Sequence, residues 1–224
     1  MSASAPLSLV NANIPPPHNP NPPPMSQPTI ILDMGGVLMQ HNMPECLSRF
    51  RAMLGESAMH TLLGLGTDGE GADNSLMEQF ERGQVSADEF ISTILRYAPP
   101  QTTRQEVIDA WNSMHAGIPD DRIQLLHHWH DMGYRLFLLS NNNELHWQHI
   151  CAHYDMSVFE HCFLSHRMHL SKPDSRIYME VDSYLTAHAC PRPYYFVDDI
   201  AANHLPARSL GWHTFFTLST LPLP

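Results

Sequence analysis

Basic residues are scarce in this chain of 224 residues: 12 Lys+Arg stand against 23 Asp+Glu, for a formal net charge of −11 with histidine neutral. No basic run occurs anywhere, so the chain lacks the electrostatic footprint of a nucleic-acid binder. The same deficit excludes an anionic membrane surface as a partner. No apolar stretch approaches the roughly 20 residues that a membrane-spanning helix requires. Cysteine is also sparse. The four cysteines are far apart and form no C-x-x-C pair, so they do not read as a disulfide framework. Met1–Val10 lacks the positive n-region and hydrophobic h-region of a secretory leader. A cytoplasmic protein with reduced thiols is the expectation.

Charge is missing altogether from residues 1–28, which contain nine of the nineteen prolines. Pro15-Pro16-Pro17 and Pro22-Pro23-Pro24 favour extended polyproline conformation and cannot support a packed core. This segment reads as a disordered leader, or as sequence upstream of a start at Met25, in preference to a ligand for a proline-recognising module. What the chain does have is 43% apolar residues and nine phenylalanines, enough for a sizeable core. It also has sixteen histidines, which gain charge as pH falls through about 6.5.

From Thr29 the pattern alternates between strand and helix. Thr29–Leu32, Tyr134–Leu139 and Tyr194–Val197 are continuously apolar or nearly so, as suits parallel strands buried on both faces. Phe159–Ser165 and Trp212–Thr217 read as two further strands. Helical stretches are expected near Asp120–Asp131, Glu144–Tyr154, Asp174–Leu185 and Ile200–Leu210. This alternation implies an α/β layer with right-handed crossovers. Between about Gln40 and His115 the rhythm breaks: no convincing strand occurs and the apolar spacing is helical. Ser86-Ala87-Asp88-Glu89 is a capping box, and Pro99-Pro100 ends the helix it starts. Gly64–Gly71 reads as a mobile loop. The predicted organisation is a leader at 1–28, a Rossmann-like parallel-sheet core at 29–40 and 117–224, and a small helical cap at 41–116 inserted after the first strand.

The clearest apolar runs each end on a polar group: Asp33, Ser140 and the Asp198-Asp199 pair. In an open parallel sheet, ligands bind beyond the carboxyl ends of the strands, so these residues converge. One such carboxylate could be a helix cap; three coincidences at adjacent strand ends suggest a site. Neighbouring carboxylates repel unless they share a cation, and hard oxygen donors suit Mg²⁺. Lys172, the sole lysine of the chain, lies at a loop-to-helix junction in Leu170-Ser171-Lys172-Pro173-Asp174. Pro173 fits the first helical position there, with Asp174 in the first turn. A carboxylate nucleophile, a hydroxyl, an ammonium and Mg²⁺ are the parts phosphoryl transfer requires.

With those residues in view, Ile30-Ile31-Leu32-Asp33-Met34-Gly35-Gly36-Val37-Leu38 resembles the first motif of the haloacid dehalogenase (HAD) superfamily of phosphatases. Leu138-Leu139-Ser140-Asn141 resembles the second, Lys172-Pro173 the third, and Val197-Asp198-Asp199-Ile200-Ala201-Ala202-Asn203 the fourth. Phe80–Phe90, Ser140–His146 and Ala207–Gly211 are similar to segments of alpha-D-glucose-1-phosphate phosphatase-like proteins. The stretch Asp198–Gly211 is also similar to the N-terminal phosphatase domain of epoxide hydrolases. The resemblance implies a Mg²⁺-dependent phosphomonoester hydrolase of a small phosphorylated metabolite, such as glucose 1-phosphate. It implies Asp33 as the nucleophile that becomes an aspartyl phosphate. Asp33, the Gly35 carbonyl and Asp199 would be Mg²⁺ ligands, with Asp198 acting directly or through water. Ser140 and the Asn141 amide would hold the phosphoryl oxygens, Lys172 would neutralise nucleophile and phosphate, and Asn203 would brace the metal loop.

One position departs from the pattern. Most phosphatases of this superfamily carry a second aspartate two residues after the nucleophile, as general acid and base. Here that position is Gly35, and the positions where the glucose-1-phosphate subgroup offers an acid are Gln40, His41 and Asn42. His41 reads as a surface histidine after a strand, so slow turnover with a preference for anomeric phosphates is expected. A catalytically weakened binding protein is the alternative that Gly35 and Asn42 support. A metal-independent dehalogenase would have no need of Asp198-Asp199. His146, His149 and His153 share a helical face, and His127, His128 and His130 cluster nearby. Without cysteines or carboxylates at zinc spacing, both sets read as solvated faces. Cys151 and Cys162 read as buried small hydrophobes.

Overall fold

A computed structural model describes residues 27–64 and 75–223. Residues 1–26 of the leader, and all of the Gly64–Gly71 stretch beyond Gly64, lie outside the described residues. The core is a five-stranded, all-parallel sheet built from β1 (Thr29–Leu32), β4 (Arg135–Ser140), β5 (His161–Leu164), β6 (Tyr194–Val197) and β7 (His213–Phe215). Their order is β5-β4-β1-β6-β7. The central strand β1 pairs with β4 on one side and β6 on the other, and all four of its residues are buried. This is the α/β architecture expected from the continuous apolar runs.

Side-chain alternation along the strands divides the core into two layers. Ile30, Leu32, Leu136 and Leu138 pack on α6 (Asp120–Asp131) and α7 (Glu144–His153) through Leu126, Trp129, Trp147 and Ile150. Ile31, Phe137, Leu139 and Phe196 face the other way, onto Ile177, Val181 and Leu185 of α9 (Ser175–Ala187) and Ala207 of α10 (His204–Ser209). A short helix, α8 (Ser165–Met168), follows β5. β1 and β6 have the expected bounds, whereas β4, β5 and β7 differ from them by a residue or two, and Ser140 closes β4 instead of following it. Pro173 is not a helical residue. It precedes Asp174, which caps α9 by accepting from the Arg176 amide.

Between β1 and β4 the chain leaves the sheet and builds a separate helical layer from α1 (Met43–Leu54), α2 (Glu56–Leu63), α3 (Leu76–Glu81), α4 (Ala87–Leu95) and α5 (Arg104–Asn112). Its apolar positions close on their own cluster, in which Phe50, Phe80 and Phe90 surround Trp111. The Ser86–Glu89 capping box is formed, and Thr103–Glu106 forms a second. The expectation of no strand in this region is corrected by β2 (Gln40–His41) and β3 (His115–Gly117), an antiparallel ribbon. Segments of two and three residues without apolar alternation carry no strand signal.

Two anchors fasten the helical layer to the core. Trp111 Nε1 donates to Asn143 Oδ1 at 3.1 Å, and His146 Nε2 donates to the Trp111 carbonyl at 3.1 Å. At the other end, the turn after α3 lies against α8 and the segment after it. Ser165 Oγ donates to the Glu81 carbonyl at 2.6 Å, and Arg82 Nε donates to Ser171 Oγ at 3.1 Å. Gly83 makes this contact possible. Its φ is +63°, and a Cβ there would overlap the His166 carbonyl oxygen.

Candidate active site

Because β4, β1 and β6 are neighbours, the residues at their carboxyl ends come together although they are far apart in sequence. Asp33 leaves β1 with its amide still bonded to the Val197 carbonyl at 2.9 Å, which fixes it beside the Asp198-Asp199 turn. Lys172, from the loop between α8 and α9, reaches both acids. Its Nζ lies 2.9 Å from Asp33 Oδ1 and 2.6 Å from Asp198 Oδ2. All three side chains are buried, Asp198 completely.

Each is held by further contacts. Asp33 Oδ1 also accepts from the Met34 amide at 2.7 Å. Asp198 accepts from Asn203 Nδ2 through both oxygens, at 2.8 and 2.9 Å, and from the Ile200 amide at 2.9 Å. Asn141 clasps the backbone of Lys172 from both sides: its Nδ2 donates to the Lys172 carbonyl at 2.9 Å and its Oδ1 accepts from the Lys172 amide at 2.8 Å. Ser140 is buried beside them. Burial raises Asp33 above the ordinary carboxylate range and Asp198 adds to this, against the pull of Lys172. For Lys172 burial acts downward, but Asp33 and Asp198 outweigh it and hold the ammonium above its usual value.

Three carboxylates share one ammonium here. Asp33, Asp198 and Asp199 bring carboxylate oxygens within 4.8 Å of one another, while Lys172 supplies a single positive charge. Asp199 is the exposed member. The all-oxygen donor set fits a hard divalent ion such as Mg²⁺. Asp198 is already engaged by Lys172, Asn203 and the Ile200 amide, so among the described residues Asp33 and Asp199 are the members with an oxygen left for an ion.

Asp33, Ser140, Lys172 and Asp199, but not the fully buried Asp198, line a cavity of about 320 Å³ between the sheet and the helical layer. Met39, Met43, Met77 and Met114 supply apolar wall, and Glu81, His41, His115 and Asn142 supply polar groups. Burial, with Glu78 adding, pushes the Glu81 carboxyl up to about 7. Burial pushes His115 down to about 4, helped by His149 and His41. The sequence reading missed Glu81 and His115, because neither sits in a strand-end motif and nothing in their spacing marks them.

Gly35 and His41 meet here. A Cβ built on Gly35 would overlap His41 Nε2 and lie 2.7 Å from Cε1, so the imidazole occupies the space a side chain at position 35 would take. His41 is therefore a cavity-lining residue, not simply a surface histidine after a strand. His146 also departs from expectation. It is buried, with Nε2 donating to the Trp111 carbonyl and Nδ1 accepting from Asn143 Nδ2 at 3.0 Å, while His127, His128, His130 and His153 are exposed as expected. Cys151 is exposed and Cys162 half-buried; the buried cysteines are Cys46 and Cys190.

The chain matches a crystal structure of a HAD-family enzyme from Bacteroides thetaiotaomicron in complex with magnesium and inorganic phosphate, with a TM-score of 0.72 and 25% identity. The match covers 84% of this chain and 93% of that one. The fold is that of the HAD hydrolases. A HAD-like hydrolase from Porphyromonas gingivalis matches with a TM-score of 0.69 and 28% identity, over 85% of this chain and 90% of the other. Among curated proteins, the D-ribitol-5-phosphate phosphatase of B. thetaiotaomicron is 25% identical over 199 residues, which is 83% of this chain and 89% of that protein. The L-2-haloacid dehalogenase of Xanthobacter autotrophicus shares the HAD fold at 16% identity and a TM-score of 0.53. No protein-family model matches the chain.

Proposed function

We propose that this HAD-fold chain is a Mg²⁺-dependent phosphatase that hydrolyses a small phosphorylated metabolite through an aspartyl phosphate on Asp33. The observation that carries this reading is Lys172, held within hydrogen-bond reach of Asp33 and Asp198 at the strand ends. Asp33 Oδ1 is fixed by Lys172 and the Met34 amide, which orients the carboxylate for attack on phosphorus. Ser140 and the Asn141 amide receive the phosphoryl oxygens, and Lys172 offsets charge on the nucleophile and the transferring group. Asp33, the Gly35 carbonyl and Asp199 would hold Mg²⁺, with Asp198 acting through water. When bound, the ion supplies the remaining charge neutralisation for the phosphoryl oxygens. Asn141 and Asn203 position Lys172 and Asp198.

The helical layer Met43–Asn112 serves as the cap that receives the leaving group. Apart from Lys172, the described residues that line the cavity include no lysine or arginine. A second phosphate or a carboxylate on the substrate would find no guanidinium and no second ammonium among the described lining residues. Hydroxyls would meet Glu81, His115 and Asn142. A neutral polyol or sugar monophosphate, of which glucose 1-phosphate is one, fits these walls best. The relative named for D-ribitol 5-phosphate supports that class. The Asp198-Asp199 pair disfavours metal-independent dehalogenation. Unpaired cysteines suit a reducing, cytoplasmic setting.

The test is phosphate release from a panel of sugar and polyol monophosphates, bisphosphates and acyl phosphates, with Mg²⁺ and with chelator. Chelator-sensitive release that Asp33→Asn abolishes is expected. Turnover retained in Asp33→Asn would defeat the assignment of the nucleophile.

A further inference from the structure

We infer that His41 is the acid–base residue of this site, working from the space that Gly35 leaves empty. The inference rests on the phosphatase reading of Asp33 and Lys172. Gly35 stands two residues after Asp33, and its φ lies outside the left-handed region, so its backbone does not demand glycine. The occupant of that space is the His41 ring: a Cβ on Gly35 would overlap Nε2 and sit 2.7 Å from Cε1 and 3.5 Å from Cδ2. The ring also lines the cavity that contains Asp33, Ser140 and Lys172.

The ribbon explains how a residue six positions further along the chain arrives there. Gln40 pairs with Gly117 and His41 with His115, with a break in register between the two pairs. Such irregularities re-aim a side chain and occur beside active sites. His41 is an exposed residue as well as a cavity-lining one.

The chemistry balances with this one group. Asp33 attacks phosphorus, and the bond from phosphorus to the leaving oxygen breaks. The His41 imidazolium gives its Nε2 proton to that oxygen, releasing a neutral alcohol. The neutral imidazole then takes a proton from water as the water oxygen attacks phosphorus. The bond to Asp33 breaks, which returns the carboxylate, inorganic phosphate and the imidazolium. With His41 in this role, slow turnover and anomeric preference no longer follow from Gly35 alone; the experiment below decides between the two expectations.

The experiment compares a primary polyol phosphate with p-nitrophenyl phosphate, whose leaving group needs no proton. His41→Ala should lower phosphorylation of Asp33 by the polyol phosphate by about 10²–10⁴-fold, measured by rapid quench. The burst of p-nitrophenolate should fall far less. Adding Gly35→Asp to His41→Ala places a carboxylate in the vacated space and should recover part of the loss. Equal losses on both substrates, or no loss on the polyol phosphate, would overturn the role of His41. His41→Gln serves as a second variant should the alanine variant unfold. Wild-type chain inert towards both substrates with Mg²⁺ would instead defeat the phosphatase reading itself.

Discussion

Gly36 lies directly beneath the Asp199 carboxylate: a Cβ on Gly36 would overlap Oδ2 and stand 2.9 Å from Oδ1. The backbone at Gly36 is left-handed as well, with φ of +71°. Asp199 is the only exposed member of the acidic trio, and it keeps its place because the residue beneath it has no side chain. Gly36→Ala should therefore push Asp199 aside and raise the Mg²⁺ concentration for half-maximal activity at least tenfold. The αL strain adds about 1–2 kcal/mol of destabilisation. A Mg²⁺ titration of phosphate release checks this, and an unchanged half-saturation point would show that Asp199 does not depend on Gly36.

Replacing Asp199 and replacing Asp198 should have different consequences. Asp199→Asn removes an exposed carboxylate, so the fold should survive and Mg²⁺-stimulated activity should vanish. Asp198→Ala strips Lys172 of a buried partner, and breaking a buried pair costs about 3–5 kcal/mol. Urea unfolding of the two variants beside their activity separates the roles. Full Mg²⁺-stimulated activity in Asp199→Asn would contradict the proposed ligand set.

Gly83 concerns the joint between the helical layer and the core. An added Cβ would sit 2.9 Å from the His166 carbonyl carbon and overlap its oxygen, which is backbone and cannot swing away. Gly83→Ala should lift the end of α3, weakening the Ser165–Glu81 and Arg82–Ser171 bonds. A loss of about 2–3 kcal/mol is expected from left-handed strain and the broken contact together. KM should rise more than kcat falls, because Glu81 moves with the turn. Unaltered stability and KM would count against this joint.

His115 makes stability depend on acid. Its folded value is about 4 against an ordinary 6.5, so between these pH values the unfolded chain takes up a proton that the folded chain refuses. Its contribution is complete above pH 6.5 and declines as pH falls towards 4. Comparison with His115→Gln isolates this group from other titrating residues. Relative to wild type, the variant should gain about 2 kcal/mol on going from pH 7.5 to pH 5. A stability difference that stays level with pH would mean that His115 titrates normally.

The sheet could be anticipated from the chain because buried parallel strands leave continuous apolar runs, and Asp33, Ser140 and Asp198 stand where such runs stop. Topology then makes them neighbours. The helical layer was visible through its spacing, down to the Ser86 cap. The β2–β3 ribbon was not, because its pairing joins positions some seventy-five residues apart through only two short segments. His41 was obscured for the same reason: its place over Gly35 depends on that pairing and on the register break within it. His146 has the sequence spacing of a solvated helix face, and it is buried by residues distant in sequence, Trp111 from α5 and His115 from β3.

The chain has one lysine, and that lysine lies between two carboxylates with 4% of its surface exposed. Chemistry directed at ε-amines thus finds a single address in the whole sequence, inside the candidate site. Amine cross-linkers and amine-coupled supports have no surface ε-amine to seize. Acylation of Lys172, followed by mass, becomes a direct count of how often the strand ends open to solvent. Anything that fills the cavity should slow that count, whether or not it is turned over.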